Sequence, residues 1–254
     1  MSSKPPYILP PAAPSVAPDR AATIIFLHGY GDDAEGLPLG LAQQFHFYNK
    51  MQWLKWVLPN AEHNHDAMER AWYMPKALPN AMKPRVPGHE DDKHASDDEA
   101  GIIKSVDYVD KLVEEEIGRG TPPERILVGG FSQGCAVSLT WGLTGRFRHK
   151  VGGMVCLSGY FPLSDRIESL REERSAETSD EAAVPEKGVK KWFYVHGTRD
   201  MLVPSRLYSQ GIEELSKWVD KADIEEHLYE GMGHSTSAAE LRDLLGFFEK
   251  VIPQ

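Results

Sequence analysis

The stretch Gly129-Gly130-Phe131-Ser132-Gln133-Gly134 constrains this 254-residue chain more than any other. It follows Arg125-Ile126-Leu127-Val128, a short run with strand character, and precedes Cys135-Ala136-Val137-Ser138-Leu139-Thr140-Trp141, which can continue as a helix. Gly130-x-Ser132-x-Gly134 between a strand and a helix reads as a nucleophile elbow. A serine on so sharp a turn takes strained backbone angles. Side chains two residues to either side would collide with strand and helix, which accounts for the glycines. The turn lifts the Ser132 hydroxyl clear of the sheet edge and aims the first N–H groups of the helix at an anion forming beside it. Taken alone, the same pentapeptide also suits a glycine-rich β-to-α turn with an ordinary N-cap serine.

The other apolar runs decide what surrounds that turn. Continuous runs of strand length fall at 23–27, 53–58, 151–157 and 192–195, as expected of strands covered on both faces. Residues 224–229 alternate with polar positions and so belong nearer a sheet edge. Helical spacing covers 37–47, 98–117, 204–219 and 238–251, with 165–174 as a further candidate. In the 98–117 segment Ile102, Val106, Val109, Val113 and Ile117 share one face, and Gly118 and Gly120 supply stop signals. Its charged remainder reads as a solvent-facing scaffold. Strands and helices thus alternate from end to end. That pattern predicts an α/β fold with a mostly parallel central sheet, helices on both faces and right-handed crossovers. Residues 1–20, rich in Pro and Ala, are expected as an extended tail, with a single domain over 21–254. Loop insertions are expected near 61–97 and 164–190.

Charge and cysteine content exclude several classes. Lys and Arg number 28 against 38 Asp and Glu, a formal charge of −10, and no basic block offers a nucleic-acid groove. Cys135 and Cys156 are the two cysteines; both sit in or beside apolar runs, as buried thiols of a reducing compartment would. The start of the chain lacks a continuous apolar targeting core, and no run approaches the roughly 18 residues of a membrane span. A soluble, cytoplasmic protein is expected. His63, His65, His89 and His94 match no zinc spacing, so no metal is expected.

Ligands on parallel sheets bind at the carboxyl ends of the strands. His28-Gly29-Tyr30, Ser132, Asp200 and His234 all follow predicted strands there. Ser132, Asp200 and His234 occur in the order nucleophile, acid, base expected of α/β-hydrolases. His234 would take the serine proton and return it to the leaving group, while Asp200 would fix the imidazole tautomer. Asp200 could instead cap the helix near Pro204, and His234 the last helix. The N–H of Gln133 and the turn His28-Gly29-Tyr30-Gly31 can supply oxyanion donors; His28 itself reads as structural.

The whole pattern resembles the acyl-protein thioesterase/carboxylesterase group of α/β-hydrolases, also called the phospholipase/carboxylesterase family. The matching stretches span roughly 22–250. They are Phe26-Leu27-His28-Gly29-Tyr30-Gly31-Asp32, Ala71-Trp72-Tyr73, Asp98-Glu99-Ala100-Gly101-Ile102, the elbow, His196-Gly197-Thr198-Arg199-Asp200 with Leu202-Val203-Pro204, and Tyr229-Glu230-Gly231-Met232-Gly233-His234-Ser235. The resemblance implies a Ser132–His234–Asp200 triad, an oxyanion hole from the backbone N–H groups of Tyr30 and Gln133, and no cofactor. It implies hydrolysis of thioesters such as palmitoyl-cysteine on proteins, or of simple carboxylic esters. Trp72 is a candidate substrate contact. The substrates expected are an acylated protein or a small acyl ester, with room for transient contact with a membrane surface and no indication of oligomeric state.

Three departures stand out. Cys135 replaces the family's usual glycine and reads as packing. The loop Glu62-His63-Asn64-His65-Asp66-Ala67-Met68-Glu69-Arg70 is short and polar where the family's is longer and apolar and helps line the acyl tunnel. Residues 76–97 and 164–190 are expanded and charged, as a solvated surface, a lid or a partner surface would be. A short-chain carboxylesterase or lysophospholipase-type esterase is the alternative within enzymes. A non-catalytic binding protein on a hydrolase fold and a peptidase are the alternatives outside that class.

Overall fold

Alternation along the strands decides which helix covers which face. The computed structural model describes residues 4–66, 68–74, 98–177 and 191–254. Expectations for 75–97, including His89 and His94, and for 178–190 lie outside the described residues. Nine strands are described: β1 Tyr7–Leu9, β2 Ala22–Leu27, β3 Leu54–Leu58, β4 His63–Asn64, β5 Glu69–Arg70, β6 Ile126–Phe131, β7 Gly153–Leu157, β8 Trp192–Gly197 and β9 Ile224–Tyr229. Six α-helices accompany them: α1 Leu37–Phe47, α2 Glu99–Gly118, α3 Gln133–Thr144, α4 Ile167–Glu177, α5 Ser205–Leu215 and α6 Ala238–Val251. Seven strands form one sheet in the order β1-β3-β2-β6-β7-β8-β9, and only β1 runs antiparallel to its neighbour. β4 and β5 make a separate antiparallel hairpin.

Successive strand side chains point to opposite faces. Ile24, Phe26, Trp56, Leu127 and Phe193 pack with Leu41, Ala42 and Phe45 of α1 and Leu244, Phe247 and Phe248 of α6. Ile25, Leu27, Val128, Cys156 and Tyr194 pack on the other face, with Val106 and Val109 of α2, Val137 and Trp141 of α3 and Tyr208 of α5. Both faces being covered, β2, β6, β7 and β8 are buried along their whole length, which is why they read as unbroken apolar runs. β9 lies at the edge and keeps its alternation. All twelve residues of α3 are buried.

The N-terminal segment departs from a loose tail. Tyr7, Ile8 and Leu9 pair with Leu58, Val57 and Trp56. Tyr7 and Leu9 pack against the core, while Ile8 is 42% exposed. A three-residue alternation is too short to stand out among prolines, and an edge strand tolerates prolines at its ends. The parallel strands bring their carboxyl ends to one rim, and the site lies there.

Candidate active site

The elbow follows directly from the residues around it. Ser132 has φ 55° and ψ −117°, a left-handed backbone conformation that costs a side chain energy and survives only where its surroundings impose it. The surroundings do impose it. Ser132 N–H donates to Leu157 O at 2.9 Å, and Ser132 O accepts from Ala136 N–H at 3.1 Å. A Cβ on Gly130 would collide with the backbone of Gly134, and one on Gly134 with the carbonyl of Leu27. Strand, turn and helix therefore close on one another too tightly for any other residue at either position.

His234 Nε2 lies 2.8 Å from Ser132 Oγ, and its Nδ1 lies 2.6 Å from Asp200 Oδ2. The carboxylate can only accept, so Nδ1 carries the proton and Nε2 is left to accept from the serine hydroxyl. The Asp200 side chain is fully buried. Its other oxygen accepts from Leu202 N–H at 2.9 Å and Val203 N–H at 2.8 Å. Burial alone would push the Asp200 carboxyl up, but the bonds from His234 and Val203 outweigh it and hold the group below the usual carboxylate range. The Phe131 ring packs on the imidazole of His234 with centroids 4.7 Å apart. The structure thus joins Ser132, His234 and Asp200, from three separate loops, into one hydrogen-bonded chain.

Tyr30 and Gln133 flank the serine. Gln133 opens α3 immediately after it, where the first N–H groups of a helix have no intrahelical acceptor. Tyr30 lies in the turn after β2. A Cβ on Gly29 would come within 3.3 Å of Ser132 Cβ, so the Gly29–Tyr30 peptide passes beside the nucleophile. Trp72 is 6% exposed. Its indole N–H donates to His28 O at 2.8 Å and its ring lies against the His28 ring. The Gln133 side chain grips the same loop, accepting from Trp72 N–H at 2.8 Å and donating to Tyr73 O at 2.9 Å. Trp72, expected as a substrate contact, is braced by these bonds and lines a cavity of about 710 Å³ with His63, Tyr73 and Tyr108.

Other apolar groups are open at the strand ends. Met201 and Leu202, directly after Asp200, are 77% and 58% exposed. Met68 lies in the turn of the β4–β5 hairpin, and is likewise exposed; Arg70 O of β5 accepts from Gly31 N–H. The sequence reading gave His196 no role of its own. It is buried, lies 2.7 Å from Val203 O and 3.4 Å from Asp200 Oδ2, and so backs the acid loop.

Neither cysteine competes as a nucleophile. Cys135 and Cys156 are free and buried, and burial pushes the Cys156 thiol up, away from the reactive thiolate. Cys135 packs where Gly159 leaves room for it. His63 and His65 are exposed with ring centroids 5.4 Å apart. Among the described residues no group of three His, Cys, Asp or Glu side chains could hold a metal ion.

Comparison with known proteins identifies the family. The family described as Phospholipase/Carboxylesterase matches residues 13–252. The chain is 33% identical over 258 residues to acyl-protein thioesterase 1 of Emericella nidulans, covering 99% of this chain and 97% of that protein. It is 32% identical over 241 residues to acyl-protein thioesterase 1 of Yarrowia lipolytica, covering 92% and 94%. The crystal structure of Arabidopsis thaliana SOBER1 superposes with a TM-score of 0.68 at 26% identity, covering 91% of this chain and 99% of that one. Zea mays acyl-protein thioesterase 2 superposes with a TM-score of 0.70 at 20% identity, covering 97% and 98%, a likeness of fold alone.

Proposed function

The chain belongs to the phospholipase/carboxylesterase family of α/β-hydrolases and is a serine hydrolase with esterase or thioesterase activity; from that premise we propose that it removes acyl groups from protein thioesters through Ser132, His234 and Asp200. The observation that carries the proposal is the unbroken chain from Ser132 Oγ through His234 to Asp200, with bonds of 2.8 and 2.6 Å. Ser132 Oγ attacks the acyl carbonyl as its proton passes to His234 Nε2. The N–H groups of Tyr30 and Gln133 receive the tetrahedral oxyanion. Collapse breaks the carbon–sulfur bond, the thiol leaves with the proton from His234, and the acyl group stays on Ser132. Water, giving a proton to His234, then attacks the acyl-enzyme; the carboxylic acid departs and Ser132 recovers its proton. Asp200 stabilises the imidazolium in both halves.

The acylated protein as substrate is read from relatives named acyl-protein thioesterase 1. No helix among the described residues is long and apolar enough to cross a membrane. A cytoplasmic setting is read from the two free, buried thiols.

A fluorophosphonate probe tests the chemistry. Labelling of the native protein at Ser132 is expected, with loss of labelling and a drop of about 10⁴-fold or more in kcat for Ser132→Ala. A native protein that is not labelled is a binding protein on this fold. One observation favours a second reading, a short-chain esterase: the β4–β5 hairpin exposes His63 and His65. Turnover is compared on p-nitrophenyl esters of increasing acyl length and on a palmitoylated peptide. Activity on short esters alone selects the esterase, and cleavage of peptides without ester turnover selects a peptidase.

A further inference from the structure

We propose that His28 is a positioning residue of the oxyanion hole: its Nδ1–H holds the Gly29 carbonyl and so sets the direction of the Tyr30 N–H. The inference rests on the acyl-transfer reading above and adds to it a side chain that touches neither the serine nor the substrate.

The tautomer follows from the neighbours. Ala61 N–H donates to His28 Nε2 at 3.0 Å, so that nitrogen is an acceptor and carries no proton. The proton of the neutral ring is therefore on Nδ1, which lies 2.6 Å from Gly29 O and donates to it. The ring is fully buried, and burial draws its pKa below the ordinary histidine value, against the bond to Gly29 and the charges of Asp32 and Asp33. His28 thus stays neutral, with one donor and one acceptor, both used.

The rest is peptide geometry. The Gly29–Tyr30 peptide is planar, and its C=O and N–H point in opposite directions. Fixing Gly29 O on one side fixes the Tyr30 N–H on the other. Such a hold has a purpose at this position because glycine on its own leaves the plane free to swing. The preceding peptide is fixed as well, by the Trp72 indole N–H on His28 O at 2.8 Å. The planes on both sides of Gly29 are therefore anchored to buried side chains, and Gly29 lies against Ser132. Among the described residues Gly29 O has one other donor, Asp32 N–H, at the longer distance of 3.3 Å. The turn retains that hold when His28 is changed, so the expected loss is smaller than the roughly 10²–10³-fold of deleting an oxyanion donor.

Two substitutions separate positioning from packing. His28→Asn can place an amide N–H where Nδ1 was but leaves Ala61 N–H without its acceptor. His28→Gln reaches Ala61 N–H but puts no donor on Gly29 O. With p-nitrophenyl butyrate, His28→Gln is expected to lose about tenfold or more in kcat with KM within about threefold of wild type, and His28→Asn to keep most of its kcat. Equal losses in both variants, or full kcat in His28→Gln, overturn the assignment. A measurement on the native protein covers the case in which a variant does not fold. Ring-nitrogen NMR at about pH 7.5 should show His28 as the Nδ1–H tautomer, and an Nε2–H ring overturns the assignment. The two levels fail separately. Absence of Ser132 labelling in wild type sinks the acyl-transfer reading. A labelled, active wild type with an equally active His28→Gln sinks only the role of His28.

Discussion

At the scale of single residues, the acid of the site does two things that one substitution can separate. Asp200 Oδ1 holds its own loop through Leu202 and Val203 N–H, and Oδ2 holds His234. Asp200→Asn can keep an oxygen for the loop while presenting N–H₂ to Nδ1. The imidazole must then carry its proton on Nε2, where it cannot take one from Ser132. A fall of about 10⁴-fold in kcat is expected in a protein that remains folded. Near-native turnover in a folded Asp200→Asn protein would remove the aspartate from the mechanism. The positions of the three residues were legible because each follows a predicted strand and the chain order is diagnostic. What each histidine does was not. His28 and His196 look alike in sequence, each before a glycine at the end of a strand, and differ only in partners. Those partners are Ala61, 33 residues away from His28, and Val203 with Asp200, close to His196. Tautomers are decided by such contacts, and local pattern does not contain them.

At the scale of elements, helices α1 and α6 and strand β9 have the bounds that apolar spacing predicts, because the residues that set the period are the ones that pack. Helix α2 was legible as a helix but not as a hub. The charged part of its sequence reads as solvent-facing, yet Asp110 is 2% exposed. Its Oδ1 accepts from Trp141 Nε1 of α3 at 2.8 Å and from Arg146 N–H at 2.9 Å, and its Oδ2 pairs with Arg174 of α4 at 2.7 Å. Burial pushes the carboxyl up, and only Arg174 and the other donors resist that. An aspartate on the flank of an apolar face gives no hint of this, since its donors come from three later parts of the chain. Removing it strands the Trp141 indole N–H and leaves Arg174 without its buried partner. Asp110→Ala is expected to cost about 3–5 kcal/mol in urea unfolding. Glu114→Ala, one turn along the same helix and exposed, should cost no more than about 0.5 kcal/mol. Similar losses for the two would mean that the network adds nothing.

At the scale of the whole molecule, several buried groups tie stability to pH, and they pull in opposite directions. Asp200 and Glu116 have depressed pKa values; for Glu116, bonds from Lys55, Arg119 and Thr23 outweigh the upward push of burial. The stability they add is present above their unfolded values of 3.8 and 4.5 and is lost as pH falls. His28 and His196 are held neutral chiefly by burial, so the unfolded chain takes up more protons than the native one below about 6.5, and stability is again lost on acidification. Glu240 runs the other way. It sits fully buried in the first turn of α6, where Ser237 N–H donates to Oε2 at 3.2 Å. Its Oε1 has no partner among the described residues. Burial pushes its pKa up to about 7, and the bond from Ser237 opposes this only in part. Below its unfolded value of 4.5 the group is protonated in both states. Between 4.5 and about 7 only the native state keeps the proton, so the stability this group contributes declines as pH rises through that window and is gone above it. Glu240→Gln keeps an acceptor for Ser237 N–H and never ionises. The histidine contributions are common to both proteins, so the difference in unfolding free energy between variant and wild type isolates Glu240. That difference should shift in favour of the variant by on the order of 3 kcal/mol between pH 4.5 and 7.5. Urea unfolding at the two pH values measures it. A difference that does not change with pH would mean that the carboxyl ionises as freely in the native protein as in the unfolded chain.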